Sequence, residues 1–211
     1  MYETRVNLAS LTLENFLREL ASAAPAPGGG STAALEGSLA SALTCMVIQI
    51  AGKKFPDLPE ELLSKSAGLM KYSLLLVQKD KEAYEAVAGA YKLQKDTPEK
   101  KALRTAQIQK ALEEAIRVPL ETARACVEVL EICEKLGHAA KGDFFCDLLV
   151  AAKIAHTGLD SALLNVRLNL KSLKDSTRRD EYERQARELR EKGQALLQNV
   201  EPLLLGALEL K

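Results

Sequence analysis

Two aspartates stand where an apolar or small residue is expected, and both carry a group able to hold or move a proton. Steps of three and four place Leu69, Ser73, Leu76, Asp80, Tyr84, Val87 and Tyr91 on one helical stripe, which Asp80 interrupts. A second stripe runs through Asp147, Ala151, Ile154, Gly158, Ala162, Asn165 and Asn169. A carboxylate on such a face must be paired, hydrogen-bonded or turned to a cavity, because burying an isolated charge is costly. In a cavity it can serve as a general acid or base. For Asp80 the structural partner and the proton-transfer role both stay open, and Tyr84, one turn later, would share its surroundings. Asp147 and Asn165 have the same azimuth but stand about 27 Å apart on a straight helix. They cannot touch one reacting atom, so they serve different sites or a dimer brings one end of this helix to another element.

Between two apolar stretches lies Pro25-Ala26-Pro27-Gly28-Gly29-Gly30-Ser31-Thr32. Glycine lets a ligand approach the backbone closely, and free amides at a helix start favour anions or carbonyl oxygens. A tight interhelical turn explains the same residues equally well. No GK[ST] follows, so this is no Walker loop, and no strand precedes it, so it is no dinucleotide fingerprint. Lys53 and Lys54 form a basic corner after the apolar helix, suited to a helix C-terminus or to a substrate carboxylate. Asn165 and Asn169 are neighbours one turn apart, and Arg167 can pair with a carboxylate from elsewhere. His138 and His156 could not ligate one metal if one helix carried both, but His138 falls before the fifth helix, which leaves their distance open; no metal-binding spacing or nucleophile signature occurs. We expect no metal.

These residues need long helices to position them, and the punctuation supplies six. A first helix, capped by Ser10 or Thr12, places Leu13, Phe16, Leu17 and Leu20 at helical spacing and ends at Pro25. A second, nearly apolar all round, runs from Ser31 or Thr32 to about Gly52 and must be buried. Its length would also suit a membrane span, but a central bundle helix is preferred, since Glu36 and Gln49 lie in it and no other segment is comparably apolar. The third runs from Pro59 to about Gln94, and the fourth from Pro98 to about Leu136 with a kink or break expected at Pro119. The fifth covers roughly 143–173. The sixth, from about Thr177 to 210, is charged first and apolar later, with a bend at Pro202. The reading is all-α: a long antiparallel bundle of about six helices in one domain over 1–211, with dimerisation plausible for a rod of this shape.

Composition narrows the class. The 211 residues carry 29 Lys+Arg against 29 Asp+Glu, which removes the basic footprint of a nucleic-acid binder. Aromatic residues make up 4%, with no Trp, which favours helices over a β-sandwich. Four cysteines (Cys45, Cys126, Cys133, Cys146) form no CxxC pair and read as small buried hydrophobes, and MYETRVNLAS lacks a signal-peptide pattern. A cytoplasmic protein with reduced thiols, no membrane and no nucleic acid is expected.

Taken in order, ELASAAPAPGGGSTAALEGSLASAL, the GKK corner, KDKEAYEAVAGAYKL, AIRVPLETA and LLNVRLNLKSLKD resemble the cyclodeaminase/cyclohydrolase family, named for the C-terminal domain of formiminotransferase-cyclodeaminase. The resemblance covers nearly the whole chain. It implies an all-α homodimer with its site near the interface and a reduced folate as substrate, polyglutamylated forms included, with no tightly bound cofactor. Family members either expel ammonia from 5-formiminotetrahydrofolate to form the 5,10-methenyl ring or hydrolyse 5,10-methenyltetrahydrofolate to 10-formyltetrahydrofolate. With no formiminotransferase domain in the chain, the cyclohydrolase is the preferred expectation, the cyclodeaminase the close alternative, and a non-catalytic interaction bundle the third. Asp80 and Asp147 are the candidate catalytic carboxylates, each an acid on an otherwise apolar or small-residue stripe and each in a segment that resembles the family's. The resemblance implies Gly28, Gly29, Gly30, Ser31, Lys53, Tyr84, Asn165, Arg167 and Asn169 as substrate-binding residues, with Arg104 and Gln107 as weaker candidates. Cys146 precedes Asp147 where serine is expected in similar proteins, and a thiol orients a carboxylate less well.

Overall fold

The computed structural model describes residues 7–52, 60–139 and 145–209, with side chains described to residue 206 and those of Gly52, Glu60 and Ala139 excepted. A short 3-10 turn, Leu8–Ser10, precedes six α-helices: α1 Leu13–Leu20, α2 Gly29–Gly52, α3 Glu60–Tyr91, α4 Pro98–Ala139, α5 Phe145–Leu170 and α6 Ser176–Glu209. No strand occurs among the described residues. Thr12 caps α1, its hydroxyl accepting from the Asn15 amide, and Thr97 does the same for Lys100 at the start of α4.

Helix directions follow from which residues meet. Along α3 and α4, Tyr91 meets Arg104, Tyr72 meets Glu121 and Lys65 meets Glu128, so one helix descends as the other rises. Ser31 with Asp80 and Ser38 with Met70 make α2 and α3 antiparallel, and Asn169 with Ala115 and Gln109 with Ser172 do the same for α4 and α5. The result is an up-down-up-down arrangement of α2 to α5. Then α6 runs parallel to α4, through Arg178 with Glu113 and Lys192 with Glu131.

The large core between these helices is made of Ala, Leu, Ile and Val, among them Ile116, Leu130, Leu159 and Leu163. A smaller cluster under the N-terminal segment joins Leu8 and Phe16 to Leu76 and Val118. α2 is long and apolar enough to cross a membrane by length and composition, yet it lies against α3, α5 and α4 with 56% of its apolar window buried. Its alanines and glycines permit this: a Cβ on Gly37 would lie 3.2 Å from both Cys126 Sγ and Ser73 Oγ. On α1 only Phe16 is buried, whereas Leu13 and Leu17 stay exposed.

The break that the sequence allowed at Pro119 does not occur: α4 runs continuously through it, and α6 likewise continues through Pro202. The proline removes the amide that would bond the carbonyl of Ala115, four residues earlier. That carbonyl is satisfied by Asn169 of α5, whose Nδ2 donates to it at 2.7 Å. Of the cysteines, Cys45, Cys126 and Cys133 are buried as expected, but Cys146 is exposed, because the first turn of α5 turns it away from the core.

Candidate active site

The cleft that gathers most of the chemistry-bearing residues lies at the N-terminal end of α2. It holds about 200 Å³ and is walled by Gly28, Gly29 and Gly30, by Asp80 and Tyr84 of α3, by Ala115 of α4, and by Asn165 and Asn169 of α5. Four separate segments thus converge because α2 starts beside the middle of α3 and the end of α5.

Asp80 is half-buried in the wall. A Cβ on Gly30 would fall 2.0 Å from Asp80 Oδ1 and 2.6 Å from its Cγ, so only glycine admits the carboxyl at this distance. The Ser31 hydroxyl lies 2.9 Å from Asp80 Oδ2 and 3.1 Å from the Val77 carbonyl. The single hydroxyl proton of Ser31 is thus shared between two acceptors, the Asp80 carboxyl and the Val77 carbonyl. Burial raises the Asp80 pKa, and hydrogen bonds from the Ser31 hydroxyl and backbone oppose that shift without cancelling it. The outcome is a carboxyl that keeps its proton to higher pH than an exposed aspartate and can both give and take one.

On the opposite wall Asn165 Nδ2 lies 3.7 Å from where a Gly29 Cβ would be and donates to the Ser161 carbonyl at 2.9 Å. Tyr84 is 42% exposed, leaving its ring face available to a planar ligand. The cleft is smaller than the roughly 300–1,000 Å³ of sites that enclose a whole drug-sized ligand. It suits a ring head group, with the remainder of the molecule outside.

Other expected site residues lie elsewhere. Ser31 is fully buried, so it positions Asp80 and does not face a ligand. It is not a helix cap either, since α2 already begins at Gly29 and Thr32 bonds back to the Gly28 carbonyl. Arg167 shares α5 with Asn165 and Asn169, yet points to a separate groove against α6, because one residue of helix is a turn of about 100°. Asp147 sits in the first turn of α5, about 27 Å of helix from Asn165 and outside the cleft. A single chain therefore does not bring Asp80 and Asp147 together. Lys53 lies outside the described residues. Arg104 bonds the Tyr91 carbonyl and stacks over its ring, 5.5 Å from the centroid, which fastens α3 to α4. Gln107 lines a different cavity between α3, α4 and α6.

One carboxylate escaped the reading of the sequence as a site. Glu36 lies in the seam between α2 and α5, with one oxygen buried and without a protein partner. Desolvation raises its pKa, opposed by a hydrogen bond with Ser161. It pushes the buried Cys126 thiol, already raised by desolvation, to about 12. The signal was a lone acid inside an otherwise apolar helix. No group of His, Cys, Asp and Glu suited to a metal occurs among the described residues.

Comparison with known proteins identifies the family. The family model of formiminotransferase-cyclodeaminase matches residues 12–188. Methenyltetrahydrofolate cyclohydrolase of Methylorubrum extorquens is 43% identical over 78% of this chain and 81% of its own length. Formimidoyltransferase-cyclodeaminase of Rattus norvegicus is 32% identical over 97% of this chain, which spans 38% of that protein. The crystal structure of formiminotetrahydrofolate cyclodeaminase from Thermotoga maritima superposes with a TM-score of 0.86 at 28% identity, covering 94% of this chain and 98% of that one. An all-helical fold shared with a family member and a match over most of its length make this chain a member of the formiminotransferase-cyclodeaminase family.

Proposed function

We propose that the protein is a folate one-carbon enzyme that hydrolyses 5,10-methenyltetrahydrofolate to 10-formyltetrahydrofolate. The observation that carries this reading is an Asp80 whose pKa burial raises, set in a cleft sized for a ring head group. The 43% identity to a cyclohydrolase selects between the family's two reactions. Water adds to the bridge carbon, and Asp80 as carboxylate takes the proton that water loses. As the bond from carbon to N5 breaks, Asp80 returns that proton to N5, leaving the formyl group on N10. The second water proton leaves the carbinol hydroxyl for solvent as that oxygen becomes the formyl carbonyl, which balances the loss of the substrate's positive charge. A pKa raised toward the working pH suits a group that must do both. Tyr84 stacks on the ring, and Asn165 and the glycine backbone hold its polar edge.

The cyclodeaminase reading has its own support in the fold shared with the Thermotoga enzyme. It needs the same proton handling, with ammonia and not the ring nitrogen leaving the carbon. A paired assay separates them: loss of methenyltetrahydrofolate near-ultraviolet absorbance without ammonia release establishes the cyclohydrolase. Ammonia release from 5-formiminotetrahydrofolate with methenyl accumulation replaces it, and silence in both refutes the folate reading.

The proposal includes a cytoplasmic homodimer acting as one catalytic domain on a reduced folate, with no tightly bound cofactor. Exposed Leu39, Met46 and Ile50 line one face of α2, and Leu164 and Leu168 stand exposed beside the cleft, apolar area that a second copy would cover. Asp147 lies at the far end of α5, so it reaches a cleft only from such a copy.

A further inference from the structure

The side of α5 that faces away from the cleft forms, with the first half of α6, a groove of about 430 Å³. Its rim carries Arg167, Lys171, Arg179, Arg187 and Arg190, against one acid, Glu183. Its floor is apolar, with Leu163 and Leu170 buried beneath the arginine stems. This leaves a formal excess of four positive charges in a chain whose net charge is zero.

The charge is not absorbed by neighbours. Arg190 approaches Asp160 only at 4.0 Å. Arg167, Lys171, Arg179 and Arg187 make no ion pair with any described residue. Elsewhere on α6 the pattern is the reverse: Arg184 is held by Glu181 and Glu188, and Arg178 by Glu113 and Asp175. Outside the groove the arginines are held by acids, whereas inside it five cations face the single acid Glu183. Like charges crowded over a low-dielectric floor repel one another and focus a positive potential into the groove. Guanidinium groups further favour carboxylate and phosphate oxygens, which they bind in pairs.

The geometry points to a binding site for a multivalent anion, a chain of several carboxylates or phosphates, in the groove between α5 and α6. It is separate from the folate cleft, since α5 itself stands between them, and it does not depend on the folate reading. Two sources share the chemistry: a polycarboxylate chain such as linked glutamates, and a free polyphosphate or nucleotide.

Isothermal titration of the full chain with γ-linked tetraglutamate and with inorganic tripolyphosphate, using acetate as the monovalent control, tests this directly. At least one multivalent anion is expected to bind once per chain, far more tightly than acetate, and to weaken as salt screens the charges. The double variant Arg179→Gln, Arg187→Gln should bind about tenfold or more weakly, whereas Arg184→Gln, outside the groove, should bind as the parent does. The bound anion should raise the melting temperature of the parent and not of the double variant. Binding of tetraglutamate alone assigns the site to a polycarboxylate, of tripolyphosphate alone to a phosphate chain, and of both to charge number. No saturable binding of either, or equal binding by the double variant, overturns the proposal.

Discussion

Asn169 is expected to be worth more to stability than an amide at the edge of a cleft ordinarily is, because it supplies the bond that Pro119 denies to α4. Its Nδ2 is 2.7 Å from the Ala115 carbonyl, and Ala115 is 8% exposed. Replacing Asn169 by Ala leaves that carbonyl unsatisfied, at about 1–3 kcal/mol for a buried group. Water entering the cleft holds the loss toward the lower end, about 1.5 kcal/mol, which for a chain of this size lowers the melting temperature by about 3–6 °C. The discriminating variant is Pro119→Ala, which restores the missing amide. In that background Asn169→Ala should cost less than about 0.5 kcal/mol, a coupling of about 1 kcal/mol in a double-mutant cycle read by urea denaturation. Equal losses in both backgrounds would refute the reasoning and reduce Asn169 to an ordinary packing residue.

Asp80→Asn should lower turnover by about 10²- to 10⁴-fold, the range for loss of a general acid or base, with the helical circular dichroism unchanged. Gly30→Ala, whose Cβ would strike the Asp80 carboxyl, should cost on the order of 10²-fold through displacement alone, since about 1 Å of misplacement has that effect. The raised Asp80 pKa gives a sign for stability: the protonated form is favoured by the fold, so its contribution is complete below the ordinary value of 3.8 and is lost as pH rises through the folded value. The parent should therefore lose stability relative to Asp80→Asn on going upward from about pH 4, as denaturation at a series of pH values would show. If Asp147 completes the cleft of a second copy, mixing inactive Asp80→Asn and Asp147→Asn chains should recover up to about a quarter of parental activity, and no recovery would place Asp147 outside the reaction.

The helices were legible because their signals are local. Apolar residues recur every three or four positions from Leu69 to Val87, and Pro98 with Glu99 marks the start of α4. Asp80 stood out for the same reason, as a charge on a stripe that burial demanded be apolar. What was not legible depends on contacts between distant segments. Nothing near Pro119 announces that Asn169 mends its helix, and nothing near Ser31 announces that its hydroxyl turns to Asp80, 49 residues away. Arg167 was grouped with Asn165 and Asn169 by adjacency in sequence, although helical geometry sends it to the other side of α5. Glu36 was noticed only as a charge unsuited to a membrane span, since its burial is set by α5 packing across α2.

The unequal placement of the four thiols gives the protein a built-in counter of unfolding. Cys45, Cys126 and Cys133 are buried, and Cys146 alone is exposed. A soluble alkylating reagent should add one group to each native chain and four to each unfolded one, so mass spectrometry after a short pulse would count native and open molecules without any engineered label. Because the helix opens at Phe145, the single native adduct would sit beside Asp147. The same reagent that counts folded molecules would thus block the far end of α5, and activity measured alongside adduct mass would report whether that end takes part in turnover.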